Sequence, residues 1–112
     1  MTAKTEAVAT KFLISRTGAP DLAFQGEEIA SASTRWVRGQ QQNRWHELTL
    51  YQTTGGKFVA AREYITQWQG ESGETEARVC ESEADVIEFF GQTDAAKEIY
   101  SGAKIPNLAL VD

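Results

Sequence analysis

Few side chains in this chain could do chemistry. His46 is the one histidine and Cys80 the one cysteine among 112 residues. A zinc site built from His and Cys needs more of both. Nucleophilic catalysis would require His46 to meet Cys80 or a serine across the fold. Cys80 stands just before a predicted helix cap at Ser82, a place where a thiol pKa can fall. The simpler expectation is a small buried hydrophobe. Acids are dense from Glu71 to Glu88: Glu71, Glu74, Glu76, Glu81, Glu83, Asp85 and Glu88. They lack the D-x-D-x-D-G pattern of a calcium loop, and nothing beside them suggests the sugar cleft that paired carboxylates would serve. A solvated acidic edge is expected there, with a contact surface for a basic partner as the functional alternative. Gly55-Gly56 has no Lys-Ser/Thr after it and no following helix start, so it reads as a turn and not a phosphate cradle. Arg35, Arg38, Arg44 and Arg62 with Trp36 and Trp45 form the one basic-aromatic grouping. Such interleaving can stack single-stranded nucleic acid. The net charge of −5 opposes that use, and pairing of the arginines with carboxylates in a sheet is the expected role.

These residues are positioned by one dominant element. From Trp45 to Trp68 the chain reads as a long antiparallel hairpin, two β-branched and aromatic runs around Thr53-Thr54-Gly55-Gly56. A turn centred on Thr54-Gly55 sets Tyr51 against Phe58, Leu50 against Val59, Glu47 against Arg62, His46 against Glu63 and Trp45 against Tyr64. Each such cross-strand pair contributes roughly 0.2–1 kcal/mol. Alternation then sorts the side chains by face. Trp45, Glu47, Thr49, Tyr51, Phe58, Ala60, Arg62, Tyr64, Thr66 and Trp68 share one face. His46, Leu48, Leu50, Gln52, Val59, Ala61, Glu63, Ile65 and Gln67 share the other. The second face looks like core. The first mixes rings with polar groups and has no assigned cover.

Before the hairpin, residues 1–6 are polar and expected to be loose. Val8 to Arg16 holds Phe12-Leu13-Ile14, a candidate first strand, followed by turn chemistry from Thr17 to Asp21. Gly26 to Val37 is expected as a strand, with a helical turn over Glu27 to Ala32 as the alternative. Gly39 to Asn43 reads as a polar loop. After the hairpin, Thr75 to Cys80 alternates like one more strand, with Ala77 and Val79 on one side. Ser82 caps a helix whose Val86, Phe89 and Phe90 form an apolar face, ending near Gly91. A second helix from Thr93 or Asp94 carries Ala96, Ile99 and Tyr100 and stops at Gly102. Lys104 to Asp112 is expected as a short edge strand or a packed extended tail. The predicted architecture is α+β over a single domain, residues 1–112: an antiparallel meander of four to five strands with two short C-terminal helices packed on one face.

GEEIA at Gly26 to Ala30, LYQTTGGKFV at Leu50 to Val59 and ESEADVIEFF at Glu81 to Phe90 follow one another in an order that resembles the EXLDI family of small bacterial proteins. The C-terminal Glu-x-Leu-Asp-Ile that names that family is replaced here by Asn107-Leu108-Ala109-Leu110-Val111-Asp112. The resemblance implies a small cytoplasmic bacterial protein and assigns no chemistry.

Composition bounds the rest. The hydrophobic fraction of 41% and charged fraction of 24% are those of a globular protein. A chain this long buries roughly two-thirds of its unfolded surface and needs no metal or disulfide. No basic-then-apolar leader and no long apolar run appear, so a reducing cytoplasm is the expected setting. The functional expectation is a non-catalytic accessory or interaction protein, without cofactor or metal, meeting a protein partner or a second copy through Trp45, Tyr51, Phe58, Arg62, Tyr64 and Trp68. A small-molecule binding module with an aromatic-lined pocket between sheet and helices is the alternative. Membrane and nucleic acid are not expected partners.

Overall fold

The computed structural model describes residues 10–111, so the expected loose segment at 1–6 lies outside the described residues. Among the described residues the strands are β1 (Thr10–Arg16), β2 (Ala19–Ser33), β3 (Trp36–Val37), β4 (Gln40–Gln41), β5 (Arg44–Thr53), β6 (Phe58–Thr66) and β7 (Glu74–Cys80), followed by α1 (Glu83–Phe90) and α2 (Asp94–Ala103). Five strands form one antiparallel sheet in the order β1-β2-β5-β6-β7. β3 and β4 make a separate two-stranded arm between β2 and β5. The α+β meander with two C-terminal helices is therefore the fold, and no described helix is long and apolar enough to cross a membrane.

The central hairpin forms, but its register differs by one residue from the expected one. Tyr51 faces Val59, Leu50 faces Ala60, Leu48 faces Arg62, His46 faces Tyr64 and Trp45 faces Ile65. The turn decides this. Thr53 closes onto Lys57 through Thr53 N–H to the Lys57 carbonyl at 2.8 Å, and Gly56 N–H reaches the Thr53 carbonyl at 2.9 Å. Gly56 takes φ 90°, the left-handed residue that completes a three-residue hairpin loop. One more residue in the loop than expected moves every β6 side chain to the opposite face relative to β5.

The corrected register divides the sheet cleanly. On one side Leu48, Leu50, Ala60 and Cys80 join Ala32 from β2 in a core with Val86, Phe90, Ala95, Ala96, Ile99 and Tyr100. α2 lies over β2 and β5, and α1 over β6 and β7. Both helices begin as their sequences demand: Ser82 Oγ accepts from Asp85 N–H at 3.2 Å and Thr93 Oγ1 from Ala96 N–H at 3.2 Å. α1 ends at Gly91 as expected. α2 continues through Gly102 to Ala103, and Lys104 takes the left-handed cap instead. Beyond it Ile105 is buried, whereas Leu108, Leu110 and Val111 are exposed in a segment that forms neither strand nor packed tail.

The other side covers itself. β2 begins before the strand expected over Gly26 to Val37 and stops at Ser33, while Trp36–Val37 pairs with Gln40–Gln41 inside the stretch expected as a loop; β2 bends at Gly26, which pairs with both Thr10 and Thr53. A Cβ there would collide with the Gln52 carbonyl oxygen, so only glycine admits the bend. The β1–β2 hairpin curls inward until the two edges of the sheet meet. Thr17 N–H donates to the Thr75 carbonyl and Thr75 N–H to Thr17 Oγ1, each at 2.9 Å. Arg16 reaches the Ala77 carbonyl at 3.3 Å. Inside the curl Phe12, Phe24 and Tyr51 cluster with ring centroids 4.8–5.4 Å apart, Phe12 stacked on Phe24 and Tyr51 tilted against both, above buried Val59, Ala61 and Ala77. A β-bulge between Glu28 and Ala30 lets one strand serve both sides. Before it, Phe24 points into the curl. After it, Ala30 and Ala32 point to the helices.

Candidate binding site

The six residues expected to share one interaction face occupy three different settings. Trp45 is buried, its Nε1 donates to Glu47 at 2.6 Å, and the Arg35 guanidinium covers its ring at 4.5 Å. Tyr51 is inside the curl, where burial first and the Glu28 charge second push its phenol pKa up. Phe58 packs against the helix core. Arg62 and Tyr64 stand on the helix side, and Trp68 is exposed beyond the end of β6. The register accounts for the separation: Phe58, Arg62 and Tyr64 alternate with Val59 and Ala61, which are the residues that share a side with Tyr51.

Arg62 and Tyr64 bring His46 into a site that hairpin reading alone did not assemble. His46 faces Tyr64 with ring centroids 5.3 Å apart, not Glu63 as expected. Arg62 donates through Nε and Nη2 to Glu76 Oε1 at 3.2 and 2.9 Å and through Nη1 to the Phe89 carbonyl at 3.3 Å. Its guanidinium also lies 4.8 Å from the Phe89 ring centroid. Two open cavities flank these side chains. One, of about 210 Å³, is lined by His46, Arg62, Tyr64, Glu74 and Glu76. The other, of about 290 Å³, lies between Thr34, His46, Leu48, Arg62, Phe90, Thr93 and Ala95. The groove runs from a polar rim to an apolar floor at the junction of α1 and α2, the composition that suits an organic ligand with one polar end. Five segments build it, from Thr34, β5, β6, β7 and the α1–α2 junction, so no short motif announces it.

The remaining candidates are accounted for by their surroundings. Cys80 is fully buried, and burial raises its pKa, as suits the small buried hydrophobe expected there and not a thiol activated beside the Ser82 cap. It pairs with Phe58 while Glu74, six positions away along β7, pairs with Tyr64 opposite His46. At roughly 3.3 Å per residue that separates Cys80 from the His46 end by about 20 Å, so the two cannot share a reaction. Within the acidic stretch Glu71, Glu76, Glu81 and Glu88 pair with Arg44, Arg62, Lys57 and Arg78. Glu71 is held at a pKa of about 2, chiefly by the hydrogen bond from Arg44 and then by the Thr66 hydroxyl. No group of three metal-ligating side chains occurs among the described residues.

A second surface lies at the end of the sheet where β5 begins and β6 stops. The β3–β4 arm carries Trp36 and Val37, with Arg38-Gly39 as its two-residue loop. Trp36 is 63% exposed and Trp68 51%. Arg38 and Gly39 take φ 52° and 79°, the left-handed pair of the tightest hairpin loop, in which Asn is usual at the first position. An arginine there costs about 1–2 kcal/mol relative to glycine. Trp36 entered the sequence reading only within a basic-aromatic grouping. The signal that separates it is the spacing of the arm, two short pairs around an X-Gly loop.

Fold and surfaces together define a class: a small α+β domain whose curled antiparallel sheet is covered by two helices on one side and by its own first hairpin on the other. No described protein family, no curated protein and no solved structure matches this chain.

Proposed function

We propose that this is a small non-catalytic interaction protein that meets a partner through the tryptophan end of its sheet. The observation that carries the reading is the exposure of Trp36, Val37 and Trp68 at one end of a chain whose other rings are largely packed. Tryptophan is enriched at interface hot spots, so two exposed tryptophans at this end of the sheet favour contact there. The face first expected to serve is replaced by this end, since Trp45, Tyr51 and Phe58 are engaged internally. Membership of the EXLDI family and a cytoplasmic setting belong to the same proposal, supported by the motif order and by the single cysteine.

The test compares the natural chain with a Trp36→Ala, Trp68→Ala double variant, by light scattering across concentration and by partner capture from a host lysate. Both residues are exposed, so melting should shift little while self-association or capture is lost. A variant that melts like the natural chain and still associates fully would sink the reading.

The groove favours a second reading, a small-molecule binding module, because His46, Arg62 and Thr34 converge on an apolar floor of Leu48, Phe90 and Ala95. A monomer that is thermally stabilised by a metabolite pool, with the effect abolished by His46→Ala, supports this alternative. Absence of stabilisation by any fraction removes it.

A further inference from the structure

We propose that the tryptophan end takes an acidic polypeptide segment, with carboxylates on Arg38 and apolar side chains against Trp36 and Trp68; this deepens the interaction reading above and rests on it. Three observations converge. From Thr34 to Arg44 the chain has three arginines and no acid, in a protein of net charge −5. The arm is thus a cationic projection of an acidic molecule, and its partner is selected by opposite charge. The three arginines are also not equivalent. Arg44 is bound by Glu71, with Nη2 to Oε2 at 2.6 Å and Nε to Oε1 at 3.0 Å. Arg35 lies over Trp45. Arg38, at the tip, makes no ion pair or hydrogen bond among the described residues.

The third observation is the backbone. Arg38 occupies a left-handed position where Asn or Gly would be easier. Turn geometry therefore does not explain the arginine, and its side chain does. A guanidinium at an exposed tip beside an exposed indole suits a carboxylate flanked by an apolar residue. A polynucleotide fits less well. Each phosphate contact needs its own cation, whereas Arg44 and Arg35 are already engaged.

The experiment titrates the natural chain with a short peptide of alternating Glu and apolar residues, with its Gln-for-Glu counterpart and with oligothymidylate, following tryptophan emission. The acidic peptide is expected to shift the emission, to bind at least about tenfold more tightly than the Gln peptide, and to weaken as salt rises. Arg38→Asn provides the decisive variant, because Asn suits the loop and the arm stays folded. It should melt at or above the natural temperature and lose about tenfold in affinity for the acidic peptide. Equal binding of the two peptides overturns the acidic preference while leaving contact through the tryptophans standing. Preferential binding of oligothymidylate overturns it in favour of nucleic acid. Self-association abolished by Arg38→Asn overturns it in favour of a second copy. Failure of every probe to shift the emission, or an unchanged affinity in Arg38→Asn, also overturns it.

Discussion

The two sides of this sheet are closed by different means. On the helix side Ala32, Leu48, Leu50 and Ala60 are small or aliphatic, and α1 and α2 approach closely enough to bury Val86, Ala96 and Ile99 completely. On the other side the sheet supplies its own lid, and three half-buried rings from β1, β2 and β5 fill a concave space. Packing of preformed helices onto a pleated surface needs volume matching at many points. Curling a sheet onto itself needs a backbone able to bend at one point, which Gly26 provides. The helix side should therefore fail by loss of packing, and the curled side by loss of the bend.

The largest effect expected from that contrast is at Leu50, fully buried beneath the helices. Leu50→Ala should cost about 2–5 kcal/mol, measured by urea unfolding, and should lower both helical and tryptophan signals together. A cost under about 1 kcal/mol would mean that the helices are not held by this surface. Gly26→Ala comes next, at about 1–3 kcal/mol. The added Cβ cannot coexist with the Gln52 carbonyl, so β1 should loosen first. Amide exchange should accelerate at Phe12 and Ile14 while Leu48 and Ile99 keep their protection. Uniform acceleration would show that the two sides are not separable.

The smallest effect is a pH dependence shared by both sides. Burial raises the phenol pKa of Tyr51 in the curl and of Tyr100 under the helices. Tyr100 also donates to the Gly91 carbonyl at 2.7 Å. A pKa raised by folding gives stability that is complete below the unfolded value of about 10 and is lost as pH climbs through the higher folded values. Unfolding free energy should thus decline as pH rises above about 10, and Tyr51→Phe and Tyr100→Phe should each remove part of the decline. If neither variant changes the slope, other groups govern the alkaline limit.

Much of the fold was legible because it depends on local rules. Ser82 and Thr93 cap helices because their hydroxyls accept from the backbone three residues on, wherever the helix later packs. Gly91 ends α1 for an equally local reason. Thr75 to Cys80 alternates as an edge strand must. The candidate surfaces were less legible. A turn centred on Thr54-Gly55 sets Phe58 beside Tyr51, whereas the three-residue loop that forms shifts the pairing by one position and hence by a whole face. The bulge at Ile29 also leaves no mark in composition, and it sends Phe24 and Ala30 to opposite sides although both are even-numbered positions of one strand.

Taken alone, the amino-acid sequence determined the central hairpin, the last strand, the two helices with their capping residues, the acidic stretch and the unusual density of arginine around Trp36. All of these follow from propensities and periodicities that act over a few residues. Only the tertiary structure decided which rings are inside, that His46 meets Tyr64 and Arg62, and that Trp36 and Trp68 remain in solvent. Those outcomes turn on one extra loop residue at Gly56, one bulge at Ile29 and one bend at Gly26. Each is a local backbone choice made by the energy of distant surfaces closing on one another.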